Sequence, residues 1–253
     1  MKNPSSILIT GASSGIGEAL AREYARSGAF LALSGRDRAR LDDVAEACRG
    51  LGAEVMARRA DVTDRDAMAD FIREADARRP LDLVIANAGI SGGSGGMGET
   101  EEQTRAIFDV NVTGVLNTVW PAVEPMRERG RGQIAVVSSI AGMNALPGAP
   151  AYSASKAAVK AYAEALNGWL RRDGVTVTAI CPGFVKSRIT DRNDFPMPLF
   201  MDAPRAARII RRGLERGGVS VVFPRRLAFA AWLIGLLPPG LRVALLSRLP
   251  KKG

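Results

Sequence analysis

The segment Ile7-Leu8-Ile9-Thr10-Gly11-Ala12-Ser13-Ser14-Gly15-Ile16-Gly17 confines the fold more than any other part of the chain. A short apolar run suits a buried parallel strand. Three glycines follow at once, and residues 18–25 then carry an amphipathic helical pattern. Strand, glycine turn and helix are the context in which such a pattern reads as a dinucleotide-binding turn. Gly11 permits the tight turn, Gly15 lets the backbone approach a pyrophosphate, and Gly17 lets the helix pack close to the strand. The helix start offers N–H groups and a positive dipole end to phosphate. Ser13 and Ser14 add hydroxyl donors beside Ile16. The competing reading is a glycine-rich turn that holds no ligand.

Strand-like apolar runs recur at 7–10, 30–34, 54–58, 83–86, 133–138, 176–181 and 219–223, with helix-like stretches between them. This alternation implies an α/β fold, a doubly wound sheet of about seven parallel strands covered on both faces. With 253 residues, 47% of them apolar, and no break in composition, one domain is expected. Residues 1–224 would form the nucleotide-binding catalytic part, and 225–253 an apolar and basic helical extension of it. The second run ends in Gly35-Arg36-Asp37-Arg38, where the adenosine ribose belongs. An acidic side chain there favours NAD(H), whereas Arg36 would hold a 2′-phosphate through charge-assisted bonds. NADP(H) is therefore the expected cofactor, with NAD(H) possible because Asp37 either caps the next helix or reaches the ribose.

Tyr152-Ser153-Ala154-Ser155-Lys156 carries the chemistry, with Ser139 upstream. A tyrosine is a poor acid or base near neutrality, with an unperturbed pKa of about 10. Lys156 lies one helical turn on, and its ammonium would lower that value. A hydroxyl from Ser139 would hold a carbonyl or alcohol oxygen beside the phenol while a hydride moves elsewhere. Taken alone, Y-x-x-x-K is more often a surface pair than a site.

With these motifs the chain resembles the short-chain dehydrogenase/reductase family over most of its length. The glycine segment matches the family's T-G-x-x-x-G-x-G at 10–17. By resemblance, Asp61 and Val62 contact adenine, Asn87-Ala88-Gly89 lies under the cofactor, and Asn111 is the active-site asparagine. Ser139, Tyr152 and Lys156 match the catalytic serine, tyrosine and lysine. Pro182-Gly183-Phe184-Val185-Lys186-Ser187 matches the segment that supports the nicotinamide, with Ser187 where threonine is commoner. Ala86 stands where a second asparagine is frequent, and Ser138 rivals Ser139, although the S-x-x-G spacing to Gly142 favours Ser139.

The resemblance implies reversible, NADP-linked interconversion of a carbonyl and an alcohol. Tyr152 would exchange the proton at oxygen, Lys156 would tune it and hold the ribose hydroxyls, Ser139 would bind the substrate oxygen, and Asn111 would hold a relay water. A homodimer or homotetramer built from helices around 104–127 and 151–172 is also implied. Two other classes compete: a nucleotide-sensing protein without catalysis, and a sugar-nucleotide epimerase or dehydratase. The intact Asn111, Ser139, Tyr152 and Lys156 argue against the first, and the absence of room for a substrate domain argues against the second.

The chain has no histidine and two distant cysteines, Cys48 and Cys181. No histidine-ligated metal site or Ser-His-Asp triad is possible, and no metal is expected. Distant cysteines without an apolar signal core before the first strand are expected of a cytoplasmic protein. The net charge of +9 is scattered, and no nucleic-acid motif accompanies it, so nucleic acid is not an expected partner. The apolar run at 195–201 reads either as a lid over an apolar substrate or as a packed loop. The glycine-rich stretch 91–98 reads as a loop at the substrate edge. Residues 227–237 are uncharged, Pro238-Pro239 interrupts them, and 241–249 reads as a second apolar helix. Eleven residues fall short of the about 20 that span a bilayer. Arg225 and Arg226 before them, and Lys251 and Lys252 after, suit peripheral contact with anionic lipid. A pocket cover or a subunit contact fits equally.

Overall fold

A computed structural model describes residues 3–93, 98–193 and 195–248. Seven strands form one sheet: β1 (Ser6–Ile9), β2 (Phe30–Gly35), β3 (Glu54–Arg59), β4 (Leu83–Ala86), β5 (Gly132–Val137), β6 (Val175–Pro182) and β7 (Ser220–Phe223). All neighbours are parallel, in the order β3-β2-β1-β4-β5-β6-β7. Every apolar run read from the sequence is a strand, with ends displaced by at most one residue. Strand order reverses between β1 and β4, and in open parallel sheets ligands bind at such a reversal, beyond the carboxyl ends of the strands.

Helices cover both faces: α1 (Gly15–Ala25), α2 (Arg38–Gly50), α3 (Arg65–Arg78), α4 (Glu101–Phe108), α5 (Gly114–Glu128), α6 (Pro150–Leu170) and α7 (Ala203–Glu215). The strands decide which face each helix takes. Ile7 and Ile9 of β1 point into the layer holding Leu20 and Tyr24 of α1 and Ile210 and Leu214 of α7. Leu8, between them, points into the layer of Phe71, Val119, Met126 and Val159. Alternate side chains of a strand face opposite ways, so a strand buried on both sides reads as continuously apolar. Burying each of these large side chains stabilises the fold by roughly 1.5–3 kcal/mol. The first-made helix, α1, packs side by side with the late helix α7.

Helix starts follow local chemistry where the sequence offers it. Asp37 accepts from the Arg40 amide to cap α2, Asp64 accepts from the Ala67 amide to cap α3, and Thr100 with Gln103 forms a reciprocal capping box on α4. Between α4 and α5, residues Asp109–Thr113 form a π-helical turn that carries Asn111.

After β7 come α8 (Arg225–Gly235) and α9 (Pro239–Leu246). The second apolar helix thus begins two residues earlier than expected. Pro239 sits in the first turn, where a missing N–H costs nothing, and so starts the helix. Leu249, Lys251 and Lys252 lie outside the described residues, as do residues 94–97 of the 91–98 loop. Among the described residues, no helix is long and apolar enough to cross a membrane.

Candidate active site

One cleft of about 340 Å³ runs along the carboxyl ends of the strands across the β1/β4 reversal. One part of its wall is the loop between β1 and α1. Gly11 has φ +64°, and a β-carbon there would lie 2.8 Å from Ala88 Cα. Gly15 has φ +59°, and a β-carbon there would press on Ser187 Cβ at 3.0 Å. Both positions therefore require glycine for conformation and for space. Gly17 stands behind the cleft wall, where a side chain would strike the Gly11 carbonyl, so its role is helix packing. Ser13, Ser14 and Ile16 line the cleft. Ser14 is the N-cap of α1, and its side chain caps nothing.

The turn is held from beneath. The Asn87 amide donates to the carbonyls of Thr10 at 2.9 Å and Gly11 at 3.2 Å. The Thr10 hydroxyl accepts from the amides of Asn87 and Ala88. Asn87 is thus a brace between two loops, while Ala88 and Gly89 give a smooth floor. Asp61 accepts from the amide and hydroxyl of Thr63, which shapes the loop after β3, and Val62 is buried against Gly114.

At the end of β2, Arg36 is exposed on the cleft wall. Asp37 is committed to its own helix: it accepts the Arg40 amide at 3.1 Å and pairs with the Arg40 guanidinium at 2.5 Å. Arg40 also lines the cleft, so two guanidinium groups stand at this end together with the carboxylates of Asp37, already paired, and Asp61, already bonded to Thr63.

At the opposite end, Ser139, Tyr152 and Lys156 converge. The Ser139 hydroxyl accepts from the Ala141 amide at 3.0 Å and lies 3.4 Å from the Pro182 carbonyl oxygen. The Tyr152 phenol lies beside the Ser139 hydroxyl. Burial pushes the phenol above its ordinary pKa, and the neighbouring Ser139 hydroxyl opposes that. The expected lowering by Lys156 is absent. Its ammonium donates to the Val137 carbonyl at 2.9 Å and sits 5.9 Å from the phenol ring centre, and burial pulls its own pKa down to about 8. Desolvation governs both groups. Ser138 faces away, donating to the Lys156 carbonyl at 2.6 Å, and so braces the backbone of α6. Asn111 is fully buried behind the wall. Its amide oxygen accepts from Ile90 N, and its nitrogen donates to Ile90 O and Ser155. Gly89 separates it from Lys156: a β-carbon there would be 3.2 Å from both Asn111 Oδ1 and Lys156 Nζ.

The sequence model of short chain dehydrogenases matches residues 5–195. The chain belongs to the short-chain dehydrogenase family. It is 42% identical to an uncharacterized oxidoreductase of Myxococcus xanthus, with 96% of each chain covered. Among solved structures it is similar to a short-chain dehydrogenase from Sphingobium yanoikuyae in complex with NADPH (28% identity, TM-score 0.81, 98% of this chain and 97% of that one). It is also similar to a 3-oxoacyl-[acyl-carrier protein] reductase from Brucella melitensis with bound NAD (28% identity, TM-score 0.72, 81% of this chain and 82% of that one).

Within this short-chain dehydrogenase framework three residues escaped the sequence reading. Arg40 was hidden one turn inside α2, although an i, i+3 pairing with Asp37 marks it. Thr190 is buried, and its hydroxyl accepts from the Ser187 amide at 2.8 Å and reaches the Val185 carbonyl at 3.1 Å. It fixes the loop in which Pro182, Gly183, Val185 and Ser187 line the cleft. Its signal was the S-x-x-T spacing. Glu99 supplies the cap that α6 lacks: its carboxylate accepts from the amides of Ala151 at 2.5 Å and Tyr152 at 3.1 Å. No local pattern marks it. The run at 195–201 is tied down at Met201, which is buried and exchanges backbone bonds with Phe184 and Lys186. Leu199 and Phe200 before it stand exposed.

Proposed function

We propose that this short-chain dehydrogenase interconverts a carbonyl and an alcohol with NADP(H), and that its substrate is apolar. The observation that carries the reading is one cleft with Arg36 and Arg40 at one end and Ser139, Tyr152 and Lys156 at the other. The residues fit a dinucleotide: two glycines leave the turn after β1 bare, and the guanidinium groups of Arg36 and Arg40 support binding of a 2′-phosphate. When bound, the cofactor supplies or accepts the hydride.

The remaining chemistry belongs to the chain. Ser139 holds the substrate oxygen beside the phenol and so fixes where the proton is exchanged. Tyr152 is kept protonated by burial and therefore acts as the acid in reduction. Lys156 holds the ribose hydroxyls and passes protons outward beside Asn111. Asp61, Val62, Asn87, Ala88 and Gly89 form the adenine-side wall and floor, and the 182–187 loop backs the reacting ring. Residues 1–224 are the catalytic part and 225–253 its helical extension. The enzyme acts in the cytoplasm as a homodimer or homotetramer, with peripheral membrane contact through that extension. Asp37 on the cleft wall favours NAD(H) as a second cofactor, although its carboxylate is already paired with Arg40.

The test is consumption of NADPH, and separately NADH, at 340 nm against carbonyls graded from short and polar to long and apolar. Turnover of the apolar members with NADPH is expected. Tyr152→Phe should abolish it, by about 10²-fold or more, while NADPH still binds. Activity retained in that variant would overturn the assignment.

A further inference from the structure

After Glu215 the chain contains no acidic residue and seven basic ones: Arg216, Arg225, Arg226, Arg242, Arg248, Lys251 and Lys252. Within that stretch α8 has one apolar face that meets no other part of the chain among the described residues. Phe229, Trp232, Leu233 and Leu236 recur at helical spacing, and all are exposed, Leu236 by 64%. Phe229 and Trp232 stack on each other at 5.9 Å. On α9, Leu241, Val243 and Leu245 are exposed as well, and only Leu246 is buried. Arg225 and Arg226 open α8 beside this face, and both are exposed. Large apolar patches rimmed by polar groups mark interaction surfaces.

The inner side of α8 places the patch. The Asn144 amide, just beyond the turn that follows Ser139, donates to the Ala231 carbonyl at 2.7 Å. Leu227 lies beside Gly183 of the loop after β6, 3.0 Å from where a β-carbon would stand. The helix thus lies directly behind the two segments that bracket the catalytic end of the cleft. An anionic surface complements this patch in both respects: it accepts the apolar side chains and neutralises the arginines. A second copy of the chain would bring the same arginines and no carboxylate from this segment, because an isologous contact matches a surface with itself.

We propose that α8 and α9 lie on an anionic lipid bilayer, Phe229, Trp232, Leu233 and Leu236 inserted, with the catalytic end of the cleft held next to the bilayer. This specifies the peripheral contact proposed above, and the surface is argued from its own observations. Its consequence, that apolar carbonyls reach the cleft from the lipid phase, rests in addition on the activity proposed above.

The experiment is flotation of the full chain with vesicles of phosphatidylcholine, alone or with about one-third phosphatidylglycerol. Binding to the anionic vesicles is expected, weakened by about tenfold or more on neutral vesicles and in Arg225→Glu/Arg226→Glu. Phe229→Ser/Trp232→Ser should lose it, while both variants keep wild-type turnover of a water-soluble carbonyl. In a Trp120→Phe/Trp169→Phe background, the remaining Trp232 emission should shift to the blue on anionic vesicles. Absence of flotation by the wild type, or equal flotation by both variants, overturns the proposal. So does an oligomer that dissociates in Phe229→Ser/Trp232→Ser while vesicles are ignored, since a second copy then covers the face. Flotation without turnover of any carbonyl would sink the proposed activity and leave this surface standing.

Discussion

At the scale of single residues, Ser138 and Ser139 are chemically identical neighbours with opposite orientations. Ser139 faces the phenol, and Ser138 bonds the Lys156 carbonyl. Ser139→Ala should therefore cut kcat by about 10²-fold or more with little effect on melting. Ser138→Ala should cost about 1 kcal/mol of stability, read by denaturant titration, and leave more of the rate. Equal effects of the two on kcat would refute the separation. Lys156 offers a second test. Its folded pKa of about 8 lies below the unfolded value near 10.5, so charged Lys156 costs stability at neutral pH, and that cost is relieved as pH rises from about 8 to 10.5. Lys156→Met should thus melt higher than the wild type at pH 7, by on the order of 2–3 kcal/mol, with the gap closing toward pH 10. A gap independent of pH would show that lost packing, not desolvation, governs the site. The choice of Ser139 was legible from its spacing to Gly142 and Tyr152. The direction of the tyrosine shift was not, because burial depends on what surrounds the ring and not on the turn that links it to Lys156.

At the scale of elements, the strands were legible because a strand buried on both faces is apolar throughout, as 83–86 is, or nearly so, as 132–137 is with Gln133 its one polar side chain. The caps on α2, α3 and α4 were equally local. The cap on α6 was not, since Glu99 comes from far upstream and meets Ala151 and Tyr152 only through the tertiary fold. Its carboxylate fixes the first turn of the helix that carries both Tyr152 and Lys156. Glu99→Ala should lower the stability by about 1 kcal/mol and lower kcat more than it changes KM for cofactor, with Glu99→Gln partly restoring both. Wild-type kcat in Glu99→Ala, measured at saturating cofactor, would show that the helix start needs no cap to place the phenol.

At the scale of the whole molecule, the sheet order makes one cleft from loops that are distant in sequence. The family and the sheet were legible, because glycine turns and strand-end motifs recur at fixed points of such a sheet, whereas lining residues such as Ile90, Val110 and Ile189 carry no motif and come to the cleft only through the fold. The second guanidinium at Arg40 was invisible until α2 was placed beside the cleft. Bound NADPH stabilises the folded state by mass action, and the gain reports affinity. Arg36→Ala/Arg40→Ala should erase most of the NADPH-induced rise in melting temperature and spare most of any rise with NADH. Equal losses for the two cofactors would place the 2′-phosphate elsewhere.

The packing of α1 against α7 sets a timetable for the molecule's birth. A ribosome adds about 5–20 residues per second. Residues 15–25 therefore emerge about ten seconds or more before residues 203–215, their neighbours on the same face of the sheet. Through that interval Leu20 and Tyr24 have no finished layer to enter, and the phosphate turn has no rigid helix behind it. A nascent chain cut short before α7 should be captured by chaperones or degraded, and should fail to retain nucleotide, even though it already contains every residue of the glycine turn.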